Sequence, residues 1–379
     1  MKILYVSTMA STLHFFYDFI QKLMEKGITV DLAANGIDDE LDPRFTVLGC
    51  RFYSITTSRS PLGRKNLCAI RQLYKIVKKE HYDIVHCHTP IASAIVRLVC
   101  APFRKNGTKV VYTAHGFHFY DGADYKSWLM FFPIEWFFSW VTDALVTINQ
   151  DDFRMAKRLL HAGKTVYVPG VGLDIRQFDV VKTDRKQKRR ELGVAPEELL
   201  LLSVGEMNEN KNHQVVLKAL GKIFQDKKEF SDRICFCIAG REQLRKELSD
   251  LAESIGVRLL ILGPRKDVLQ LMQASDVFLL PSKREGLSVS LMEAMAMGLP
   301  CLASDIRGNR DLIDEKNGFL IKPMDVSGWE TAIRFSIKNK ANSEELADYN
   351  RKKLRGFSQA KVNRKVWRIY RELIREKRY

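Results

Sequence analysis

Asp276-Val277-Phe278-Leu279-Leu280-Pro281-Ser282-Lys283-Arg284-Glu285-Gly286-Leu287-Ser288-Val289-Ser290-Leu291-Met292-Glu293-Ala294-Met295-Ala296-Met297-Gly298-Leu299-Pro300 reads as one strand, one loop and one helix. The run from Asp276 to Leu280 is short, apolar and closed by a proline, as a buried parallel strand is, while Leu291 to Met297 is rich in strong helix formers. Gly286, Leu287 and Ser288 therefore sit where a helix begins. Unpaired N–H groups and the positive end of the helix dipole meet there, a combination that holds a diphosphate without a dedicated cation. Glu285 lies in the loop and Glu293 in the helix, with seven residues between them. One carboxylate is placed to face a sugar and the other a ribose, each accepting hydrogen bonds from paired hydroxyls. Taken alone, the same pair also reads as a solvated loop charge and a helix-surface residue. Glu293, however, is embedded in Ala294, Met295, Ala296 and Met297, where an unpaired carboxylate is costly.

Working outward, the same alternation recurs on both sides. Apolar runs at Leu199 to Val204, Ile234 to Ala239, Leu259 to Leu262, Val277 to Leu280 and Pro300 to Ala303 are each followed by a loop and a helical pattern. The first half repeats it: strands at Ile3 to Ser7, Thr29 to Ala33, Asp83 to His88, Lys109 to Ala114, Ala144 to Ile148 and Val166 to Val168 interleave with helical stretches such as Leu13 to Lys26, Leu67 to Lys79 and Ile91 to Val99. Strand–helix alternation makes parallel sheets, so the fold class is α/β, with two doubly wound Rossmann-like domains facing across a cleft. A chain of 379 residues fits two such domains. The polar, basic segment from Lys182 to Arg190 has the composition of a boundary. The expected division is 1–180, 181–355 and a basic helix from 356 to 379. Ligands of such sheets bind at the carboxyl ends of strands.

Hydrophobic residues at 46% and charged residues at 28% describe an ordinary globular chain. The net charge of +16 is uneven: the last 29 residues hold 12 Lys/Arg against 2 Glu. Nucleic acid, anionic lipid and phosphorylated substrates all suit such a charge, as does a solvated amphipathic helix. Seven scattered cysteines without a CxxC pair point to a reducing cytosol and away from a metal site, and the start of the chain lacks the pattern of a secretory signal. The segment Trp128-Leu129-Met130-Phe131-Phe132-Pro133-Ile134-Glu135-Trp136-Phe137-Phe138-Ser139-Trp140-Val141 is too short for a bilayer span, which takes about 20 residues. It reads either as a helix packed under the first sheet or as a membrane-interface or lipid-acceptor surface.

Several activities are disfavoured. The turns after the first strand of each half, Ser7-Thr8-Met9-Ala10-Ser11 and Gly205-Glu206-Met207-Asn208, lack the dinucleotide GxGxxG, and no P-loop is present. No Asp-x-Asp cluster or His/Cys set with metal spacing stands at a strand end, so no metal is expected. Lys211 lies between Asn210 and Asn212 after a buried strand, where a fixed ammonium would stabilise a leaving diphosphate. His115 ends a buried strand ahead of Gly116, which suits a side chain aimed at a ligand, with His118 nearby.

Asp83-Ile84-Val85-His86-Cys87-His88-Thr89-Pro90, Tyr112-Thr113-Ala114-His115-Gly116-Phe117-His118-Phe119, Thr147-Ile148-Asn149, Gly205 through Asn212 and the block from Ser275 to Asn317 together resemble the retaining glycosyltransferases of family 4, which have the GT-B fold. The whole chain looks like the bacterial exopolysaccharide and capsule members. By that resemblance Glu285 binds the donor sugar beside the reacting carbon, Glu293 grips the ribose, Lys211 binds the diphosphate and Arg265 packs on the nucleobase. Gly205, Asn210, Gly286, Leu287 and Ser288 complete the donor site, and His115 stands near the donor sugar. Thr89, Pro90, His118 and Asn149 fall on the acceptor side.

The resemblance implies transfer of a hexose or N-acetylhexosamine from a UDP-sugar to a lipid-linked or oligosaccharide acceptor, with retention of configuration and no cofactor or metal. It also implies a cytoplasmic enzyme in peripheral contact with the anionic inner face of the plasma membrane, binding no nucleic acid. Two departures stand out. Glu206 occupies the place where the family usually has a phosphate-binding arginine, leaving Arg241 as a candidate for the second cation, and Thr8-Met9-Ala10-Ser11-Thr12 replaces the paired glycines of many relatives. A UDP-sugar epimerase of the same fold and a basic nucleic-acid-binding protein are the alternative readings.

Overall fold

Neighbouring parallel strands need a crossover between them, and helices supply the crossovers throughout this chain. The computed structural model describes residues 1–37, 39–58, 60, 63–178, 184–226, 230, 233–338 and 343–375. They form two compact units, Met1–Gly172 joined by the C-terminal segment from Gln359, and Leu173–Ser358.

The first unit holds strands β1 (Lys2–Met9), β2 (Thr29–Asn35), β3 (Arg51–Ser54), β4 (Ile84–His88), β5 (Lys109–Ala114), β6 (Ala144–Thr147) and β7 (Lys164–Tyr167), in the order β3-β2-β1-β4-β5-β6-β7. The second holds β8 (Leu199–Val204), β9 (Ile234–Ala239), β10 (Arg258–Ile261), β11 (Val277–Leu280), β12 (Cys301–Ser304) and β13 (Gly318–Ile321), in the order β10-β9-β8-β11-β12-β13. All pairings are parallel; Tyr5, for example, lies opposite Leu32 on one side and His86 on the other. In each sheet the winding reverses once, between β1 and β4 and between β8 and β11. Such switch points leave a crevice at the carboxyl edge.

Central strands β4, β9 and β11 are buried along their whole length, which is why they read as near-continuous apolar runs. The two strands that the sequence does not announce, β3 and β13, lie at sheet edges and are mostly part-exposed, so they lack such a run. The helix expected from Leu13 to Lys26 divides into a 3-10 turn over Ala10–Phe16 and an α-helix over Tyr17–Met24.

Both faces of the first sheet are covered. Leu4, Val6, Val85 and Tyr112 pack on one side with the Lys65–Glu80 and Pro90–Cys100 helices. On the other side the Gln359–Arg375 helix returns and contributes Val362, Val366, Ile369, Tyr370 and Leu373. Tyr370 fixes its register, its hydroxyl lying 2.7 Å from the Tyr5 hydroxyl and 2.5 Å from His86 Nδ1. Gly172 passes so near this helix that a Cβ would stand 2.5 Å from Gln359 Cα, and its φ of +83° suits glycine. The opposite face of the helix exposes Lys361, Arg364, Arg368 and Arg371.

The boundary expected at 180/181 and the start of the basic segment, 182–183, lie outside the described residues. From Asp184 onward the segment is a helix, Arg185–Glu191, capped by Asp184 accepting from Lys186 N at 2.9 Å. Its Arg189 is 4% exposed and donates to Ala274 O and to Asp276 Oδ2. A linker-like composition thus conceals an element anchored in the second unit, whose compact body begins at Leu173.

The aromatic segment forms the Tyr125–Ser139 helix, started by Asp124 accepting from Ser127 N at 2.9 Å. Trp128, Phe131 and Phe132 pack on the core, whereas Tyr125, Leu129, Met130, Phe137 and Trp140 are exposed. Glu135 faces inward to a buried ion pair with Arg97 at 2.7 Å, and Tyr112 Oη donates to the same carboxylate at 3.1 Å. One face of the helix is therefore packed against the core of the first unit, and the other is exposed and apolar.

Candidate functional site

At the β8/β11 switch point two loops are stitched together. Lys283 N donates to Asn210 O at 2.7 Å and Asn210 Nδ2 to Arg284 O at 2.9 Å. Asn212, in the left-handed region at φ +56°, donates to Pro281 O and Pro323 O. Between these ties Lys211 Nζ lies 2.7 Å from Glu285 Oε1, with both side chains largely buried. The lysine stem crosses Gly205 so closely that a Cβ there would be 2.8 Å from Lys211 Cε. A side chain at position 205 would therefore have to displace the end of the lysine.

Directly after Glu285, Gly286 and Leu287 lead to Ser288, whose Oγ accepts from Leu291 N at 3.3 Å and caps the Val289–Ala296 helix. Glu293 lies on that helix, and among the described residues its carboxylate has no hydrogen-bond partner. Burial pushes its carboxyl up to about 7. Because the unfolded chain loses that proton near 4.5, the folded chain holds more protons between the two values, and stability falls as pH rises through that window. We expect Glu293→Gln to melt several degrees above the parent at about pH 8, a gain on the order of 2–3 kcal/mol, and to melt equally near pH 4.5. Thermal denaturation without nucleotide checks this, and equal melting at the higher pH contradicts it.

Arg265 is bound by Asp267 in a two-point fork of 2.7 and 2.6 Å at the end of β10. That guanidinium, first, and Lys188 hold the Asp267 carboxyl down at about 2. Both carboxylate oxygens of Glu206 are engaged: Asn208 Nδ2 and Gln243 Nε2 donate to them at 3.0 and 2.8 Å, bracing the Gly205–Asn212 turn. Arg241 is exposed. A residue absent from the sequence reading, Arg307, is 5% exposed and donates through Nε to Glu285 O at 3.3 Å. Next to it Gly308, at φ +77°, lies so close that a Cβ would be 2.1 Å from Gly286 O. The β12 loop thus brings a buried guanidinium to the glutamate loop.

In the first unit the β1/β4 switch point carries a pocket of about 250 Å³ lined by Thr8, Thr12, Thr89, Pro90, His118 and Phe131. The threonines that replace paired glycines are part of its wall. Thr89 has φ +68°, an outlier for a β-branched residue, held by its Oγ1 lying 2.6 Å from Thr8 Oγ1. Backbone strain of this kind concentrates at functional sites. His118 packs on the Phe131 ring at 4.4 Å.

His115 belongs to a different set. Its Nε2 lies 3.1 Å from His88 Nδ1, and His88 stacks on Phe16. Burial lowers His115 to about 4 and His86 to about 3, so these imidazoles are neutral at ordinary pH. Asn149 is drawn into neither group: it is fully buried, accepts from Asp152 N at 2.8 Å and caps the Gln150–Leu159 helix.

With this geometry in view, residues 184–353 match the family model of glycosyl transferases group 1, and residues 14–171 that of glycosyltransferase family 4. The chain is 34% identical to the putative glycosyltransferase EpsD of Bacillus subtilis (strain 168), over 97% of this chain and 96% of that one. It is 28% identical to an Escherichia coli UDP-Gal:alpha-D-GlcNAc-diphosphoundecaprenol alpha-1,3-galactosyltransferase, over 89% and 86%. Among solved structures, Anabaena Alr3699/HepE in complex with UDP and glucose aligns with a TM-score of 0.79 at 18% identity, covering 97% of this chain and 98% of that one. The two parallel sheets, their switch-point loops and these matches place the chain in glycosyltransferase family 4: it is a glycosyltransferase of the GT-B fold, resembling exopolysaccharide enzymes.

Proposed function

We propose that this glycosyltransferase moves a hexose or N-acetylhexosamine from a UDP-sugar to a lipid-linked acceptor in cell-surface glycan synthesis, retaining the anomeric configuration and using no metal. The observation that carries the donor side is the Lys211–Glu285 pair, 2.7 Å apart beside a helix N-terminus. Glu285 takes the sugar, Glu293 the ribose, and Lys211 the diphosphate. Arg307 supplies the second positive charge in place of the arginine that Glu206 replaces. In the reaction the acceptor oxygen bonds the anomeric carbon on the face from which the diphosphate oxygen departs, and that oxygen takes the hydroxyl proton. UDP gains charge as the bond breaks, and a fixed ammonium stabilises that charge more in the transition state than before it. His115, neutral through burial, is assigned to the reacting sugar as a hydrogen-bonding group and not as a cation.

The lipid-linked acceptor is supported by the printed activity of the Escherichia coli relative and by the exposed aromatic face of the Tyr125–Ser139 helix. That face and the basic face of the C-terminal helix suit a peripheral position on an anionic membrane at the cytoplasmic side. Among the described residues no helix is long and apolar enough to cross a membrane. The test is a panel of UDP-sugars with and without a sugar-diphosphate-polyprenol acceptor, in EDTA, followed by NMR. Acceptor-dependent formation of a product with the donor's anomeric configuration is expected. Conversion of the donor without acceptor identifies an epimerase instead, and a requirement for added metal removes the metal-free step.

A further inference from the structure

His88 is buried beside His115, and the transfer chemistry gives it no task. Residues two apart on a strand share a face, so His86 and His88 of β4 lie together, next to Thr113 of β5 and His115 just beyond it. The two strands pair with His88 opposite Thr113. His86 Nε2 lies 2.7 Å from Thr113 Oγ1, and His88 Nδ1 lies 3.1 Å from His115 Nε2. His88 is 2% exposed, its ring set among those of Phe16 at 4.0 Å, His86 at 4.2 Å and Tyr5 at 5.5 Å. Packing on three sides fixes the plane of that imidazole.

The positions of the protons follow from one unpaired atom. Both nitrogens of His86 are engaged, Nδ1 with Tyr370 Oη and Nε2 with Thr113. His88 Nε2, which is also buried, has no hydrogen-bond partner among the described residues. Burial holds His86, His88 and His115 below the ordinary histidine range, so each is a neutral ring with a single N–H. A hydrogen on His88 Nε2 would be a buried donor without an acceptor, an arrangement that folded proteins rarely keep. The cavity of about 30 Å³ that His88 lines adds to that cost, because Asn363 Nδ2, a second buried donor without a partner, belongs to a residue lining it too. With the hydrogen on Nδ1 instead, His88 donates to His115 Nε2 and only a lone pair is left bare. His115, accepting at Nε2, then carries its own hydrogen on Nδ1. His115 is part-exposed and its bond to His88 uses Nε2, which leaves Nδ1 for a ligand.

We propose that His88 is a positioning residue that fixes His115 in the Nδ1–H form and so makes it a hydrogen-bond donor to the reacting sugar. The proposal rests on the assignment of His115 to that sugar made above. In the opposite form His115 would present a lone pair, which accepts from a hydroxyl but donates to no sugar oxygen.

The test is long-range proton–nitrogen correlation NMR on the full-length protein, isotope-labelled at histidine, at about pH 7.5, where an ordinary histidine is neutral. The two neutral forms give distinct patterns, and His88→Phe and His115→Gln assign the signals. Nδ1–H is expected for both residues. His88→Phe keeps a ring against Phe16 but removes the donor, so His115 is expected to shift toward Nε2–H and kcat to fall about tenfold, as for one misdirected hydrogen bond. His88→Asn places an amide nitrogen close to where Nδ1 stood; it is expected to keep His115 as Nδ1–H and to recover most of the rate. Nε2–H on either residue in the parent overturns the proposal, whether or not the variants fold. A His115 form unchanged in His88→Phe, transfer by His88→Phe at the parent's rate, or His88→Asn as impaired as His88→Phe also overturns it. A parent with both protons placed as described that transfers no sugar sinks the proposed reaction and leaves the positioning of His115 by His88 standing.

Discussion

Lys211→Ala is expected to lower kcat for sugar transfer by about 10²–10³, the range for removing one fixed group that meets charge developing in a transition state. The side chain is fixed in place. Its stem is confined by Gly205, its backbone N–H donates to Asn208 Oδ1 at 3.0 Å, and its ammonium meets Glu285 at 2.7 Å. Lys211→Arg keeps the charge but adds a planar head that the narrow path over Gly205 does not accommodate, so it recovers only part of the rate. Gly205→Ala makes the same point from the other side, since its new methyl falls 2.8 Å from Lys211 Cε and displaces the lysine without removing it. Because Lys211 and Glu285 act as a unit, Lys211→Ala combined with Glu285→Ala is expected to cost little more than the worse single change. Steady-state release of UDP measures these variants together with the single Glu285→Ala. Full activity of Lys211→Ala removes the diphosphate role.

Glu135→Leu is expected to destabilise the first unit by about 3–5 kcal/mol, the usual consequence of leaving one member of a buried pair unpaired. Arg97 is 1% exposed, and its guanidinium donates to Glu135, to Ser93 O and to Ser93 Oγ while lying 4.5 Å over the Tyr112 ring. Without the carboxylate the charge has no counter-ion in an apolar setting. Arg97→Met combined with Glu135→Leu is expected to recover most of the loss, since a pair replaced by apolar groups of similar size is often neutral. Urea denaturation followed by tryptophan fluorescence distinguishes these cases. If the single variant unfolds with the parent, the pair does not anchor the aromatic helix.

How far the sequence carried the fold depended on burial. The central strands are apolar on both faces and so stand out as runs, whereas Arg51–Ser54 and Gly318–Ile321 are edge strands whose residues are mostly exposed or part-exposed. The Arg185–Glu191 helix was hidden by its charge, because the buried Arg189 is explained by partners distant in the sequence, Ala274 O and Asp276 Oδ2. Glu285, Glu293 and Lys211 were legible from their place after apolar strands. Arg307 was not: Ile306-Arg307-Gly308 looks like an ordinary loop until Gly308 packs on Gly286. Asn149 shows the converse. The family resemblance put it on the acceptor side; in the structure it is the N-cap of the Gln150–Leu159 helix, and Asn149 followed by Asp152 is a helix-start pattern legible in the sequence. The His88–His115 contact required the neighbouring, parallel pairing of β4 and β5, which no local pattern contains.

The loops at the β8/β11 switch point, with Glu293 behind them, are proposed to hold UDP. Calorimetric titration of UDP into the protein in EDTA addresses this directly. One site per chain is predicted, with affinity reduced at least tenfold by Glu293→Ala and by Arg307→Ala, each a hydrogen bond to a charged group worth about 1.5–3 kcal/mol. No binding of UDP, or binding undiminished in both variants, would contradict the account.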